Sequence, residues 1–183
     1  MSGELVIVRH ADTDWTASGR HTSRTDLSLN DDGRARAAAL RERLAARSFV
    51  LVLSSPRRRA LETAALAGFE PAVRDELAEW DYGDYEGLTS AQIHERAPGW
   101  DLFRDGCPGG EDAAAVGARA DAVVALLPPA GDVLVFSHGH MLRVLTARWL
   151  GLEPAGGALF ALAPGGIGEL GHEHDRRVLR GLC

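Results

Sequence analysis

Leu5-Val6-Ile7-Val8-Arg9-His10-Ala11-Asp12-Thr13 is the stretch from which the architecture can be read. Four apolar, mostly β-branched residues predict a short buried strand over 4–9, and the run stops abruptly at an Arg–His pair. A polar loop from Asp12 to Arg24 follows. In an open α/β sheet, ligands bind beyond the carboxyl ends of the strands. Arg9 and His10 therefore stand where a site is expected.

Two other stretches repeat the pattern. Phe49-Val50-Leu51-Val52-Leu53 ends in Ser54-Ser55-Pro56, and Asp132-Val133-Leu134-Val135-Phe136 ends in Ser137-His138-Gly139-His140. Strands apolar on both faces are what a parallel sheet covered by helices requires. Helices are expected over residues 31–47, 56–67 (with Pro56 as first residue), 89–97 (capped by Thr89), 112–127 and 141–150. Residues 99–111, with four Gly and one Pro, read as an irregular excursion. The tail reads as strands near 158–163, 167–172 and 177–180, with a shorter one near 72–74. The expectation is one α/β domain over 1–183, a three-layer α/β/α sandwich around a mostly parallel sheet.

Composition narrows the chemistry. The chain has 183 residues, 45% hydrophobic and 25% charged, as soluble globular domains do. A net charge of −6 argues against nucleic-acid or anionic-membrane partners. No apolar run reaches the roughly 20 residues that span a bilayer. Neither a secretory leader nor a disulfide framework is evident, Cys107 and Cys183 being far apart, so a cytoplasmic setting is expected. All 20 basic residues are Arg, which removes lysine Schiff-base and P-loop lysine chemistry. Oligomeric state stays open, a homodimer among the options.

If the strands are parallel, Arg9-His10, Ser54-Ser55 and Ser137-His138 lie along one sheet edge. Two imidazoles and several guanidiniums then face each other across an anion-sized gap. Guanidinium forks bind phosphate oxygens, and a neutral imidazole in their field is a competent nucleophile toward phosphorus. Of Arg57, Arg58 and Arg59, only one can aim at the site, because consecutive helical residues point about 100° apart. A departing alkoxide also needs a proton, which a carboxyl with its pKa raised near apolar Trp80 and Tyr82 can supply, Glu79 being the candidate. No metal set has suitable spacing, and no cofactor is implied. His21, His94, His172 and His174 read as surface residues, and Cys107 as a passive loop thiol.

Four blocks in order carry a resemblance covering nearly the whole chain: Arg9-His10-Ala11-Asp12-Thr13, Ser54 to Ala64, Glu79 to Gly87, and Ser137-His138-Gly139. They resemble the histidine phosphatase superfamily, the phosphoglycerate-mutase-like proteins, and look most like the acid phosphatase and sedoheptulose-1,7-bisphosphatase branch. The resemblance implies that His10 is phosphorylated, that Arg9, Arg59 and His138 hold the phosphoryl group, and that Glu79 is the proton donor. It places Thr16, Thr22, Ser23, Gly139 and His140 around the substrate. Arg20, Arg24 and Arg104, in flanking loops, are candidates for a second anionic group, so the expected partner is a small phosphate ester, a sugar phosphate or bisphosphate. Ala11 stands where the family has Gly, so this backbone must avoid positive φ. A mutase and a catalytically silent phospho-ligand module are the alternatives.

Overall fold

A computed structural model describes residues 3–183. Its centre is a six-stranded sheet in the order β3-β2-β4-β1-β5-β6. The strands are β1 (Leu5–Arg9), β2 (Phe49–Ser54), β3 (Ala72–Val73), β4 (Asp132–Ser137), β5 (Ile167–Glu173) and β6 (Arg176–Leu182). The first four are mutually parallel, and β5 and β6 run antiparallel along the edge next to β1. Arg9 pairs with Ser137 and Ser54 with Phe136, so the polar ends of β1, β2 and β4 finish in one row.

Alternation along β1 sends its side chains to two cores. Val6 and Val8 pack with Leu40, Leu44 and Ala64, from α2 (Asp31–Leu44) and α3 (Arg58–Leu66). Leu5 and Ile7 pack with Val116, Val123, Leu142 and Leu145, from α6 (Ala113–Ala125) and α7 (Gly139–Trp149). Helices thus cover both faces, and the three-layer sandwich is the observed architecture. Among the described residues no helix is long and apolar enough to cross a membrane. The smaller helices are α1 (Asp14–Ala17), α4 (Ser90–Arg96, with Thr89 in a capping box) and α5 (Leu102–Asp105).

Three expected elements differ. The helix expected from Pro56 begins at Arg58, because Arg57, in extended conformation, is its N-cap and donates its N–H to Ser55 Oγ at 3.2 Å. The excursion at 99–111 contains α5, started by the Asp101 carboxylate, which accepts from the amides of Phe103 and Arg104. The strand expected near 158–163 does not form. Pro154–Leu159 is a 3₁₀ turn, and the Leu162 carbonyl accepts from Arg9 Nη1 at 2.7 Å rather than joining a ladder.

Candidate active site

His10 follows the last residue of β1 and is 3% exposed. Its amide donates to the Ser137 carbonyl at 2.9 Å, tying it to the end of β4. The ring nitrogen Nδ1 lies 2.8 Å from the Ala11 carbonyl oxygen. A carbonyl only accepts, so Nδ1 carries the proton and Nε2 keeps its lone pair. Arg59 Nε points at that lone pair from 3.3 Å. Burial first, then the charges of Arg59 and Arg9, hold the His10 pKa well below the ordinary imidazole value. The ring is therefore held in its neutral form, with the lone pair on Nε2. Ala11 is not among the positive-φ residues, of which His174 is the one non-glycine described, and its amide donates to Thr63 Oγ1.

Arg59 is wholly buried and has no carboxylate partner among the described residues. Its Nη1 donates to the Thr25 carbonyl at 3.1 Å, and its Nη2 to the carbonyls of Thr22 (3.0 Å) and Ser23 (3.4 Å). Arg58 turns outward to Glu62, as the angular spacing requires. Arg9 lies over the first turn of α7. A Cβ on Gly139 would stand 3.2 Å from Arg9 Cζ, so the glycine permits this approach. His138 meets His10 edge-on with ring centroids 5.1 Å apart, closer than the anion-sized gap expected from sequence. His138 Nε2 bonds Ser55 Oγ at 2.7 Å. Arg9 Nε and His138 Nδ1 are buried without a protein partner among the described residues.

Glu79 is 6% exposed and sits at the N-terminal end of α7. Its Oε1 accepts from the amides of Trp80 (2.9 Å) and Met141 (2.8 Å), and Oε2 from that of His140 (3.1 Å). The apolar setting that Trp80 and Tyr82 suggest is therefore not the one found: three amide donors hold the carboxyl. Oε2, with one donor, keeps a lone pair for the cavity that Glu79 lines.

That cavity has a volume of ≈ 480 Å³, and Arg9, His10, Thr16, Thr22, Glu79, Gly139 and His140 all line it. Other candidates stand elsewhere. Arg59 and His138 lie behind His10 and touch its ring rather than forming the cavity wall. Ser23 is buried below the floor, its hydroxyl donating to the Glu79 carbonyl. Arg104 is exposed and paired with Asp105, and Arg24 is paired with Asp81, so neither reaches the cavity. Cys107 belongs to the main apolar core, where burial pushes its thiol up to about 12.

Three wall residues were missed or misread, whereas Arg20, a candidate for a second anionic group, does line the cavity. His21 is not a surface residue; it lines the cavity and bonds the Leu88 carbonyl through Nδ1. Tyr82, taken as apolar packing, presents its hydroxyl to His140. Arg20 stacks on Trp15, and Arg143 on Phe103. Position 143 lies three after His140 on α7, a spacing that shares a helix face and could have revealed it.

The chain is similar throughout to known proteins. An acid phosphatase of Mycobacterium tuberculosis is 45% identical over 181 residues, covering 96% of this chain and 89% of that protein. Sedoheptulose 1,7-bisphosphatase of Saccharomyces cerevisiae is 33% identical over 187 residues, covering 83% and 69%. The solved structure of a mycobacterial glucosyl-3-phosphoglycerate phosphatase in complex with VO3 superposes with a TM-score of 0.85 at 33% identity, over 97% of each chain. Residues 5–183 match the family model of the histidine phosphatase superfamily (branch 1), and the chain belongs to that family.

Proposed function

We propose that this protein hydrolyses phosphate monoesters in two displacements through a phosphohistidine at His10. The observation that carries the reading is the His10 ring, with Nδ1–H held by the Ala11 carbonyl and a neutral Nε2 beside Arg59 and Arg9 at the cavity floor. Glu79 enters the cycle protonated; Nε2 attacks phosphorus in line, the bond to the ester oxygen breaks, and the Glu79 carboxyl passes its proton to the departing alkoxide, becoming a carboxylate. Water then attacks the phosphohistidine and gives its proton to the Glu79 carboxylate, which frees phosphate and returns Nε2 to its starting state. Arg9 flanks the transferring group at the cavity wall, and Arg59 and His138 act on it from behind the His10 ring; its charge spreads over three oxygens, so positioning and electrostatics supply most of the acceleration.

The route proposed is metal-independent, with guanidinium groups meeting the phosphoryl charge. Sugar phosphates or bisphosphates are the substrate class. The relatives' names support it, as do Arg20 and Arg143, which line the cavity without forming an ion pair among the described residues. A cytoplasmic setting fits the two free cysteines.

The test is single-turnover chemistry with labelled 4-nitrophenyl phosphate in EDTA. The expected result is an acid-labile, base-stable phosphoryl adduct that His10→Ala removes, with turnover falling about 10⁴-fold or more. Turnover that survives His10→Ala, or that EDTA abolishes, overturns the reading. With 3-phosphoglycerate and a bisphosphate primer, free phosphate is expected; isomer formation would make it a mutase.

A further inference from the structure

Glu79 hangs from backbone that no helix or strand supports. Residues 78–82 run between two short 3₁₀ turns, Asp75–Leu77 and Gly83–Tyr85, so their carbonyls must find partners elsewhere in the chain. Arg119, on α6, meets three carbonyls of this stretch and the turn before it. Its Nη1 donates to the carbonyls of Glu76 and Ala78, both at 2.7 Å, and its Nη2 to that of Glu79 at 3.4 Å. The other two N–H groups, on Nε and Nη2, meet the two carboxylate oxygens of Glu111 at 2.9 and 2.7 Å. All five donors of the guanidinium are thereby engaged, in a fork that a lysine cannot reproduce. Glu111 grips the same stretch a little further on. Its amide donates to the Asp81 carbonyl, its Oε2 accepts from the Asp81 amide, and its carbonyl accepts from the Trp80 indole N–H, each at 2.9 Å. Arg119 Nη1 also lies 3.6 Å from Sδ of Met141, whose amide holds Glu79 Oε1. Neither Arg119 nor Glu111 lines the cavity.

We infer that Arg119, clasped by Glu111, is a positioning residue for the Glu79 carboxyl, setting where the proposed proton carrier stands relative to the departing oxygen. Two sets of anchors act on Glu79. The amides of Trp80, His140 and Met141 fix its carboxyl oxygens, and the Arg119–Glu111 pair fixes the main chain that carries them. A proton carrier must come within about 2.6–3.2 Å of the atom it serves, and a misplacement of about 1 Å caused from a distance can cost about 10²-fold. The nucleophile has separate supports. His10 is held by the carbonyls of Ser137 and Ala11 and by Arg59, and makes no hydrogen bond to residues 76–81 among the described residues. Loosening the clasp therefore weakens proton delivery and spares the attack on phosphorus. This role rests on the phosphatase reading above, in which Glu79 protonates the alcohol.

Arg119→Lys and Glu111→Asp keep both charges and change the reach. The measurement is kcat/KM, which reports the first displacement, on 2-glycerophosphate, phenyl phosphate and 4-nitrophenyl phosphate, in order of improving leaving group. Arg119→Lys is expected to lose about tenfold or more on 2-glycerophosphate and less than about twofold on 4-nitrophenyl phosphate, with phenyl phosphate between them. Glu111→Asp is expected to give the same order with smaller losses. A ratio between esters does not depend on how much of a sample is folded, so a poorly folding variant still reports. Equal losses on all three esters in either variant would show a merely structural role and overturn the inference. Glu79→Gln, run in parallel, separates the two readings. If its losses are selective and those of the other variants are not, the positioning role alone falls. If its own losses are equal, Glu79 is not the acid, and the inference falls with that step. With Glu79→Gln already present, Arg119→Lys should add less than about twofold on any ester, since no acid remains to be placed, and full additivity would overturn the inference.

Discussion

The two ends of β1 open onto two different cavities. At its carboxyl end, three guanidiniums, three imidazoles and one carboxylate line ≈ 480 Å³. At its amino end, Leu5, Val124, Leu127, Val133, Pro128, Pro129 and Trp149 enclose most of ≈ 220 Å³, with Glu4, His172 and Arg177 at the rim. One five-residue strand thus divides its labour by direction. Parallel neighbours finish together, so their terminal residues converge without long-range help. Their starts, fed by chain returning from helices, close over apolar side chains. Chemistry collects where strands end and cohesion where they begin.

The largest expected effect that sharpens the contrast is at the carboxyl end. Glu79→Gln should cost about 10²–10⁴-fold in kcat on an alkyl phosphate and far less on 4-nitrophenyl phosphate, whose leaving group needs no proton. Equal losses on both esters would remove Glu79 from the acid role. At the amino end, Leu5→Ala should lower stability by about 2–5 kcal/mol in denaturant titration while leaving kcat unchanged, because Leu5 is 1% exposed and remote from His10. A matching fall in kcat would break the division.

Acid also distinguishes the ends. His10, His138 and His140 all have folded pKa values held below the ordinary 6.5, chiefly by burial. Below pH 6.5 the unfolded chain binds more protons than the folded one, so stability should fall as pH drops, by up to about 1.4 kcal/mol per unit for each such residue. In the same window, the neutral nucleophile should keep kcat/KM from declining until well below pH 6.5. A decline centred at 6.5 would contradict the buried, neutral ring. The smallest effect expected is Arg104→Ala. An exposed guanidinium paired with Asp105 and the Gly99 carbonyl should alter kcat/KM less than about twofold.

Much of this was legible in the chain. The three apolar runs ending in polar residues gave both the sheet and the row of ends, since periodicity and strand direction are local properties that the fold must respect. Glu79 was found by its block, yet its surroundings were not: the amides of residues 140 and 141 reach it only when α7 docks beside residue 79. The same holds for Leu162, whose carbonyl serves Arg9 from 153 positions away and so draws its segment out of the strand pattern. Arg104 failed in the opposite sense. Proximity in the chain to the expected mouth said nothing of its direction, and a neighbouring aspartate claimed it.

Arg59 fastens the 22–25 segment and the attacking nitrogen with a single side chain. That union limits how the protein could be retuned. Lengthening or reshaping residues 22–25 to suit another ester would shift three carbonyls, and with them the reach of the nucleophile. The opposite wall, built from α7 and the 161–163 backbone, holds Arg9 and Glu79 through main-chain groups, which side-chain changes leave in place, and makes no hydrogen bond to the His10 ring among the described residues. New preferences can be engineered there, by changes around Arg143 and Ala161, at little expense to the chemical step.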